Sequence, residues 1–120
     1  MLQLKSVLIV DDAMFIRLSL KMMLEKNGFK VIGEAENGAV AVEKYKILTP
    51  DIVTMDITMP EVDGIEALRL IRAINGKAKV VMLSAMGQEA TIKQAIMSGA
   101  KNFIVKPFTE ESVMKVLSKL

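Results

Sequence analysis

Five short runs of apolar, largely β-branched residues alternate along the chain with segments of helical periodicity. The runs show no regular polar alternation, which is typical of strands buried on both faces of a parallel sheet. Alternating strands and helices with short connections place helices on both faces of that sheet. We therefore predict an α/β fold built on a doubly wound, five-stranded parallel sheet. The predicted strands are Ser6–Val10, Lys30–Ala35, Ile52–Met55, Lys79–Leu83 and Asn102–Val105.

The segments between these runs predict five helices. Gly28 and Gly99 are expected to end the first and fourth helices, and Asp63 is a predicted N-cap of the third. Pro60 marks a turn before it. The predicted helices run from Asp11-Asp12 to about Asn27, from the turn Glu36-Asn37-Gly38 to about Leu48, over Gly64–Ala73, and from about Gln88 to Ser98, with a last one opened by Thr109. The positions expected to face the sheet are Ile16, Leu20, Met23, Leu24, Asn27, Ala41, Val42, Tyr45, Leu68 and Ile71.

Composition narrows the possible functions. A chain of 120 residues is expected to form one domain, 1–120. The absence of cysteine and histidine excludes disulfides, histidine-ligated zinc and catalytic triads on this chain. A net charge of +2, spread along the sequence, does not favour nucleic-acid binding. The apolar run Val7–Val10 is too short for a membrane span or signal sequence, so we expect a soluble cytoplasmic protein.

Polar side chains follow four of the five predicted strands. They are Asp11-Asp12, Asp56, Ser84 and Lys106. In an open parallel sheet the carboxyl ends of the strands share one edge, where ligands bind. Each residue also has an ordinary interpretation: an acid near a helix start, a capping acid, a loop serine and a solvated lysine. All of these ordinary interpretations would have to be true at four strand ends at once. The combination therefore favours a single functional site formed by the four strand ends.

Three carboxylates close together repel one another, and a divalent cation relieves that conflict. We expect Mg²⁺, because only oxygen ligands are offered. Asp12 and Asp56 are the candidate direct ligands, with a backbone carbonyl near Thr58 as a third and Asp11 acting through water. An aspartate beside Mg²⁺, Lys106 and a hydroxyl suits phosphoryl transfer by attack of the carboxylate on phosphorus.

Several motifs in this order resemble the receiver domain of two-component response regulators, and the match covers the whole chain. The motifs are Val-Asp-Asp at 10–12, Met-Asp-Ile-Thr-Met-Pro at 55–60, Asp63-Gly64, Leu-Ser-Ala at 83–85, Gly99-Ala100 and Val-Lys-Pro-Phe at 105–108. The chain is most similar to the stand-alone chemotaxis regulators of that family, of the thermophile and Gram-positive type. The resemblance implies a flavodoxin-like sheet in the order 2-1-3-4-5, and no separate substrate turnover.

The resemblance also implies roles for the residues of the site. Asp56 would accept a phosphoryl group from a histidine kinase of the chemotaxis type. Asp12, Asp56 and the Thr58 carbonyl would bind Mg²⁺, with Asp11 in support. Lys106 would pair with the phosphoryl group, its bond to Pro107 would be cis, and Ser84 would move toward a phosphoryl oxygen.

Phosphorylation would then turn Phe103 inward and change the surface of helix four, strand five and helix five. On this chain that output surface would include Ile92, Ile96, Phe103 and Val105. The implied partners are a flagellar motor switch protein and a chemotaxis phosphatase, acting on a monomer. Two features depart from the common pattern: Ser84 stands where threonine is also common, and Phe103 where tyrosine is frequent.

Other functions fit part of the same pattern. Within the family, the alternatives are a phosphorelay intermediate and the isolated receiver of a transcription factor, although the end at Leu120 favours a stand-alone regulator. A Mg²⁺-dependent phosphoaspartyl hydrolase also needs an aspartate nucleophile, but Asp56-Ile57-Thr58 lacks a second acid. A flavin carrier would need a phosphate loop where Asp11-Asp12 would repel phosphate.

The first helix carries a second apolar stripe outside its inward face. Phe15, Leu18 and Met22 form this stripe. Neighbouring loops would partly bury it in the ordinary interpretation. The alternative hypothesis is a docking patch for the kinase or a phosphatase, since exposed apolar stripes often mark interfaces.

Overall fold

The computed structural model describes residues 4–59 and 62–120. All strand pairs of its sheet are parallel, and the order is β2-β1-β3-β4-β5. The predicted fold class and the strand order implied by the resemblance are both confirmed. The turn predicted at Pro60 lies outside the described residues. The strands are β1 Ser6–Val10, β2 Lys30–Ala35, β3 Ile52–Asp56, β4 Lys79–Ala85 and β5 Asn102–Lys106.

Helices follow each strand, as predicted, although some boundaries differ. β3, β4 and β5 run one or two residues beyond the predicted ends, because Asp56, Ser84 and Lys106 still pair through their backbones. Every described helix falls short of the length and apolarity needed to cross a bilayer. The helices are α1 Met14–Lys26, α2 Gly38–Leu48, α3 Gly64–Ile74, α4 Glu89–Met97 and α5 Glu110–Leu117.

The start of α1 corrects the prediction that Asp11-Asp12 opens this helix. Ala13 is still extended, and its amide donates to Asp11 Oδ1 at 2.9 Å. The first turn of α1 contains no acidic residue. Asp11 therefore stabilises the connection between β1 and α1 instead of the helix dipole.

Two apolar layers enclose the sheet, which explains why the strand sequences lack polar alternation. Val7 and Ile9 of β1 face the layer formed with α1 and α5. Leu8 and Val10 face the layer formed with α2, α3 and α4. Both faces of the central strands are therefore buried, as parallel sheets require.

Most predicted inward positions are confirmed, with Asn27 as the exception. Ile16 and Met23 are partly buried against the core. Asn27 is exposed and forms the C-cap of α1, where its amide donates to the Met23 carbonyl at 2.7 Å. Gly28, with φ of 86°, ends this helix as predicted. The buried inward residues are Leu20, Leu24, Ala41, Val42, Tyr45, Leu68 and Ile71.

Gly64 lets the start of α3 approach the backbone that carries Asp56. A Cβ atom at this position would lie 2.8 Å from the Ile57 Cα and would overlap the Asp56 carbonyl oxygen. Asp63 caps this helix as predicted, accepting from the Glu66 amide at 2.9 Å. The identity of residue 64 therefore helps to position Asp56.

We predict that Gly64→Ala lowers the free energy of unfolding by about 1–3 kcal/mol, because the added methyl group meets backbone that cannot rotate away. Urea denaturation measures this change. Gly76→Ala is the matched control, since no described atom lies within 4 Å of a Cβ there. Equal stability of the two variants would contradict the predicted close approach.

Candidate functional site

The predicted strand-end residues meet at one edge of the sheet. Asp11 follows β1, Asp56 ends β3 and Lys106 ends β5. Carboxylate oxygens of Asp11, Asp12 and Asp56 all lie within 4.8 Å of one another. Asp11 and Asp56 are buried, whereas Asp12 is exposed. The sheet therefore assembles the acidic cluster that the sequence predicts.

Lys106 connects two of these carboxylates. Its Nζ donates to Asp11 Oδ2 at 2.8 Å and lies 3.4 Å from Asp56 Oδ1. Asp11 uses its other oxygen for the Ala13 amide, so both of its oxygens are engaged. The bond from Lys106 to Pro107 is cis, as the resemblance implies. Asp11 thus holds the ammonium group beside Asp56.

This environment shifts the proton affinity of both charged partners. Burial, more than any other cause, raises the pKa of Asp56 to about 6, and the negative charges of Asp11 and Asp12 add to that rise. Lys106 opposes it through its charge and its hydrogen bond. Burial lowers the pKa of Lys106, but its hydrogen bond to Asp11 and the charge of Asp56 outweigh this and raise it above 10.5. Lys106 therefore stays protonated at neutral pH.

The donor set fits a hard divalent cation. Three carboxylates converge on a single ammonium group, so negative charge remains in excess at this edge. Carboxylate and carbonyl oxygens are the ligands that Mg²⁺ prefers. Thr58, two residues after Asp56, is exposed at the same edge. Its carbonyl as a ligand stays a prediction.

Ser84 lies within β4, the strand between those that carry Asp56 and Lys106. Its side chain is fully buried, and its hydroxyl has no hydrogen-bond partner in the described part of the chain. A buried hydroxyl gains free energy when it finds a partner. Ser84 is thus available to a new acceptor at the strand ends.

Three of the four residues of the predicted output surface border one cavity. Phe103 is 37% exposed, and with Ile92 and Val105 it lines a cavity of about 360 Å³ beside the loop that follows β4. Ile96 is exposed on the same helix, α4. The role of this surface in output stays a prediction.

The second stripe of α1 is exposed, so the interpretation that neighbouring loops bury part of it is wrong. Phe15 is 74% exposed, and more than half of Leu18 and of Met22 is accessible. Met14, which the sequence analysis did not single out, extends this area. We call the four residues the α1 patch.

Sequence reasoning missed two polar residues, Arg17 and Gln88, that make contacts at this edge. Arg17 donates to the Asp11 carbonyl at 2.6 Å and pairs with Glu34 at 3.1 Å. Gln88 joins the loop after β3 to the loop after β4, donating to Thr58 and accepting from Ala85. Sequence spacing carries no signal for such contacts, because they depend on how separate loops pack.

The model of the response regulator receiver domain family matches residues 7–118. The chain belongs to this family. It is 58% identical to the chemotaxis protein CheY of Bacillus subtilis over 94% of each chain, and 57% identical to CheY of Thermotoga maritima over 97% of each. This receiver is therefore a two-component signalling switch similar to chemotaxis response regulators, and not an enzyme of the ordinary substrate-converting kind.

A solved structure gives the same fold with a ligand and a partner. In the crystal structure of the CheX–CheY–BeF₃–Mg²⁺ complex from Borrelia burgdorferi, the matching chain has a TM-score of 0.87 and 43% identity. The match covers 94% of this receiver and 89% of that chain. A similar receiver is thus known in a complex that contains Mg²⁺.

We predict that Asp56→Asn raises the stability of the metal-free protein at pH 7–8. The folded pKa of about 6 exceeds the ordinary 3.8, so the folded state binds more protons between these values. The contribution of Asp56 to the free energy of unfolding is therefore fully present below pH 3.8 and is lost as the pH rises through 6. The expected gain above pH 7 is about 1–3 kcal/mol.

Urea denaturation from pH 4 to 8 without divalent cations measures this effect. The exposed Glu36→Gln is the control, because it removes one carboxylate outside the cluster. A stability difference between Asp56→Asn and wild type that is the same at every pH would contradict the raised pKa.

Proposed function

We propose that Asp56 accepts a phosphoryl group from a histidine kinase and thereby switches a chemotaxis output. The observation that carries this is the buried Asp56 carboxylate, flanked by Asp11, Asp12 and the Lys106 ammonium. An Asp56 oxygen would attack phosphorus, the P–N bond of phosphohistidine would break, and its electron pair would remain on the imidazole. The product is an aspartyl phosphate.

The other residues of the site would stabilise the transferred group. Lys106, oriented by Asp11, offers a permanent positive charge to the phosphoryl oxygens. The unpaired Ser84 hydroxyl would donate to one of them. Asp12, Asp56 and the Thr58 carbonyl would hold Mg²⁺, with Asp11 in support, and the ion would supply further charge neutralisation. The Mg²⁺ and BeF₃ of the similar Borrelia complex support this assignment.

The output would pass through the apolar surface of α4 and β5. Phe103 borders the cavity beside the loop after β4, so turning its ring inward would remodel the surface shared with Ile92, Ile96 and Val105. We assign this surface to a flagellar motor switch protein. CheX in the Borrelia complex supports a chemotaxis phosphatase as a further partner. The monomeric state, the cytoplasmic location and the absence of nucleic-acid binding stay predictions.

Acetyl phosphate tests the chemistry without a kinase. We expect a phosphoryl adduct on Asp56, detected by intact and peptide mass spectrometry, that forms with Mg²⁺ and is absent from Asp56→Asn. Asp63→Asn is the matched control, since asparagine also caps a helix and this site lies outside the cluster. Label on any other residue, or equal labelling of Asp56→Asn, would disprove the assignment.

The α1 patch is proposed as the docking area for the kinase or a phosphatase. Met14 and Phe15 stand on the first turn of α1, separated from the acidic pair only by Ala13. Leu18 and Met22 continue the area along the helix. A protein that binds here would lie next to the end of β1, where the acidic pair Asp11-Asp12 stands. Apolar contacts with the α1 patch would supply the binding energy for that protein.

Leu18→Ser and Met22→Ser should each reduce the rate of phosphotransfer from the kinase by about tenfold, as expected when an interface side chain is lost. The reaction with acetyl phosphate should not change, because the site remains intact. Ile47→Ser on α2 is the control, since this apolar residue is 78% exposed away from the patch. Unchanged transfer and phosphatase binding in the Leu18 and Met22 variants would dismiss the patch.

A further inference from the structure

One side chain ties together the two loops that border the site. Gln88 Oε1 accepts from the Ala85 amide at 2.6 Å, and its Nε2 donates to Thr58 Oγ1 at 3.1 Å. Ala85 directly follows Ser84, and Thr58 is two residues beyond Asp56. We call this pair of contacts the Gln88 bridge.

The Ala85 end of the bridge lies on the strand between those that carry Asp56 and Lys106. β4 runs between β3 and β5, with Leu83 in register with Asp56 and Ala85 in register with Lys106. The Ala85 amide is therefore a donor at the strand-end edge, between the strands that deliver the carboxylate and the ammonium. The Gln88 oxygen occupies this donor.

The bridge also fixes the segment that carries the unpaired hydroxyl of Ser84. With Ala85 held by Gln88, the Ser84 hydroxyl has no partner among the described residues. A phosphoryl group on Asp56 would bring anionic oxygens, which are stronger acceptors than an amide oxygen. Moving Ser84 and Ala85 toward these oxygens requires the Gln88 oxygen to release the Ala85 amide.

We propose that Gln88 is a positioning residue that holds the receiver in its unphosphorylated arrangement and so opposes modification of Asp56. This inference rests on the function proposed for Asp56. The bridge stabilises only the state in which Ala85 is not bound to the phosphoryl group. By linkage, its loss makes phosphorylation easier by the free energy of the bridge.

The decisive variant is Gln88→Ala. We expect the apparent affinity for beryllofluoride with Mg²⁺, measured by ¹⁹F NMR, to increase by about 3- to 10-fold, in keeping with the loss of one or two exposed hydrogen bonds. Phosphorylation by acetyl phosphate should accelerate by a similar factor. Without Mg²⁺, hydrogen exchange of the Ala85 amide should also become faster, which reports the loss of the bridge independently of the reaction.

Gln94→Ala is the matched control. Gln94 lies on α4 and lines the same groove as Gln88 and Thr58, but its side chain makes no hydrogen bond to the residues that the structure describes. This variant should behave like wild type in all three measurements. An equal gain in both variants would attribute the effect to the groove in general and would overturn the bridge.

A double-mutant cycle with Thr58→Val tests the other end of the bridge. The valine removes the hydroxyl acceptor and keeps the backbone carbonyl. Thr58→Val alone should increase beryllofluoride affinity, and it should add nothing in the Gln88→Ala background, because the bridge is already lost. Additive effects of the two substitutions would overturn the proposed connection.

The outcomes separate this inference from the function on which it rests. If wild type is labelled on Asp56 but Gln88→Ala shows unchanged or weaker beryllofluoride binding, the bridge does not oppose phosphorylation. If wild type takes no label on Asp56, the proposed function fails, and the role of Gln88 fails with it.

Discussion

The arrangement of the site depends on one ammonium group placed between two buried carboxylates. Lys106 is 95 residues from Asp11 in the chain, yet the two side chains form a contact of 2.8 Å. Neither charge would be stable alone in this setting, because removing one partner of a buried pair leaves an uncompensated charge. The strand order makes the pair possible by delivering both side chains to one edge of the sheet.

The same arrangement leaves a surplus of negative charge at the edge of the sheet. Asp11, Asp12 and Asp56 outnumber the ammonium, and Asp56 in particular resists ionisation, as its pKa of about 6 shows. A protein selected for stability alone would have no reason to retain such a group. The proposed function gives such a group a use, because a bound cation would relieve the charge conflict at Asp56.

Much of the fold and the position of the site could be predicted from the sequence, because both depend on patterns that short segments carry. Runs buried on two faces identify the strands, Gly28 marks the end of α1, and polar residues at strand ends identify the site. Backbone pairing extends three strands beyond their predicted ends, and two further errors concern side-chain hydrogen bonds. Asp11 holds the Ala13 amide where a helix start was predicted, and Asn27 caps α1 where an inward position was predicted.

Contacts between loops could not be predicted, for a related reason. Gln88 reads as an ordinary residue at the start of a helix, and only the packed loops bring it within reach of Thr58 and Ala85. The exposure of the α1 patch likewise depends on where the neighbouring loops lie. Strand order, in contrast, came from the resemblance and not from periodicity.

The two apolar layers on either side of the sheet have a consequence for how such a receiver can diverge. Side chains of successive strand residues enter different layers. A substitution that changes side-chain volume in the layer of α2, α3 and α4 therefore affects the layer of α1 and α5 only through the strand backbone. Substitutions in different layers should combine additively in their effect on folding. The layer that includes α4 can thus change in evolution to suit new binding partners, while the packing of the layer of α1 and α5 is retained.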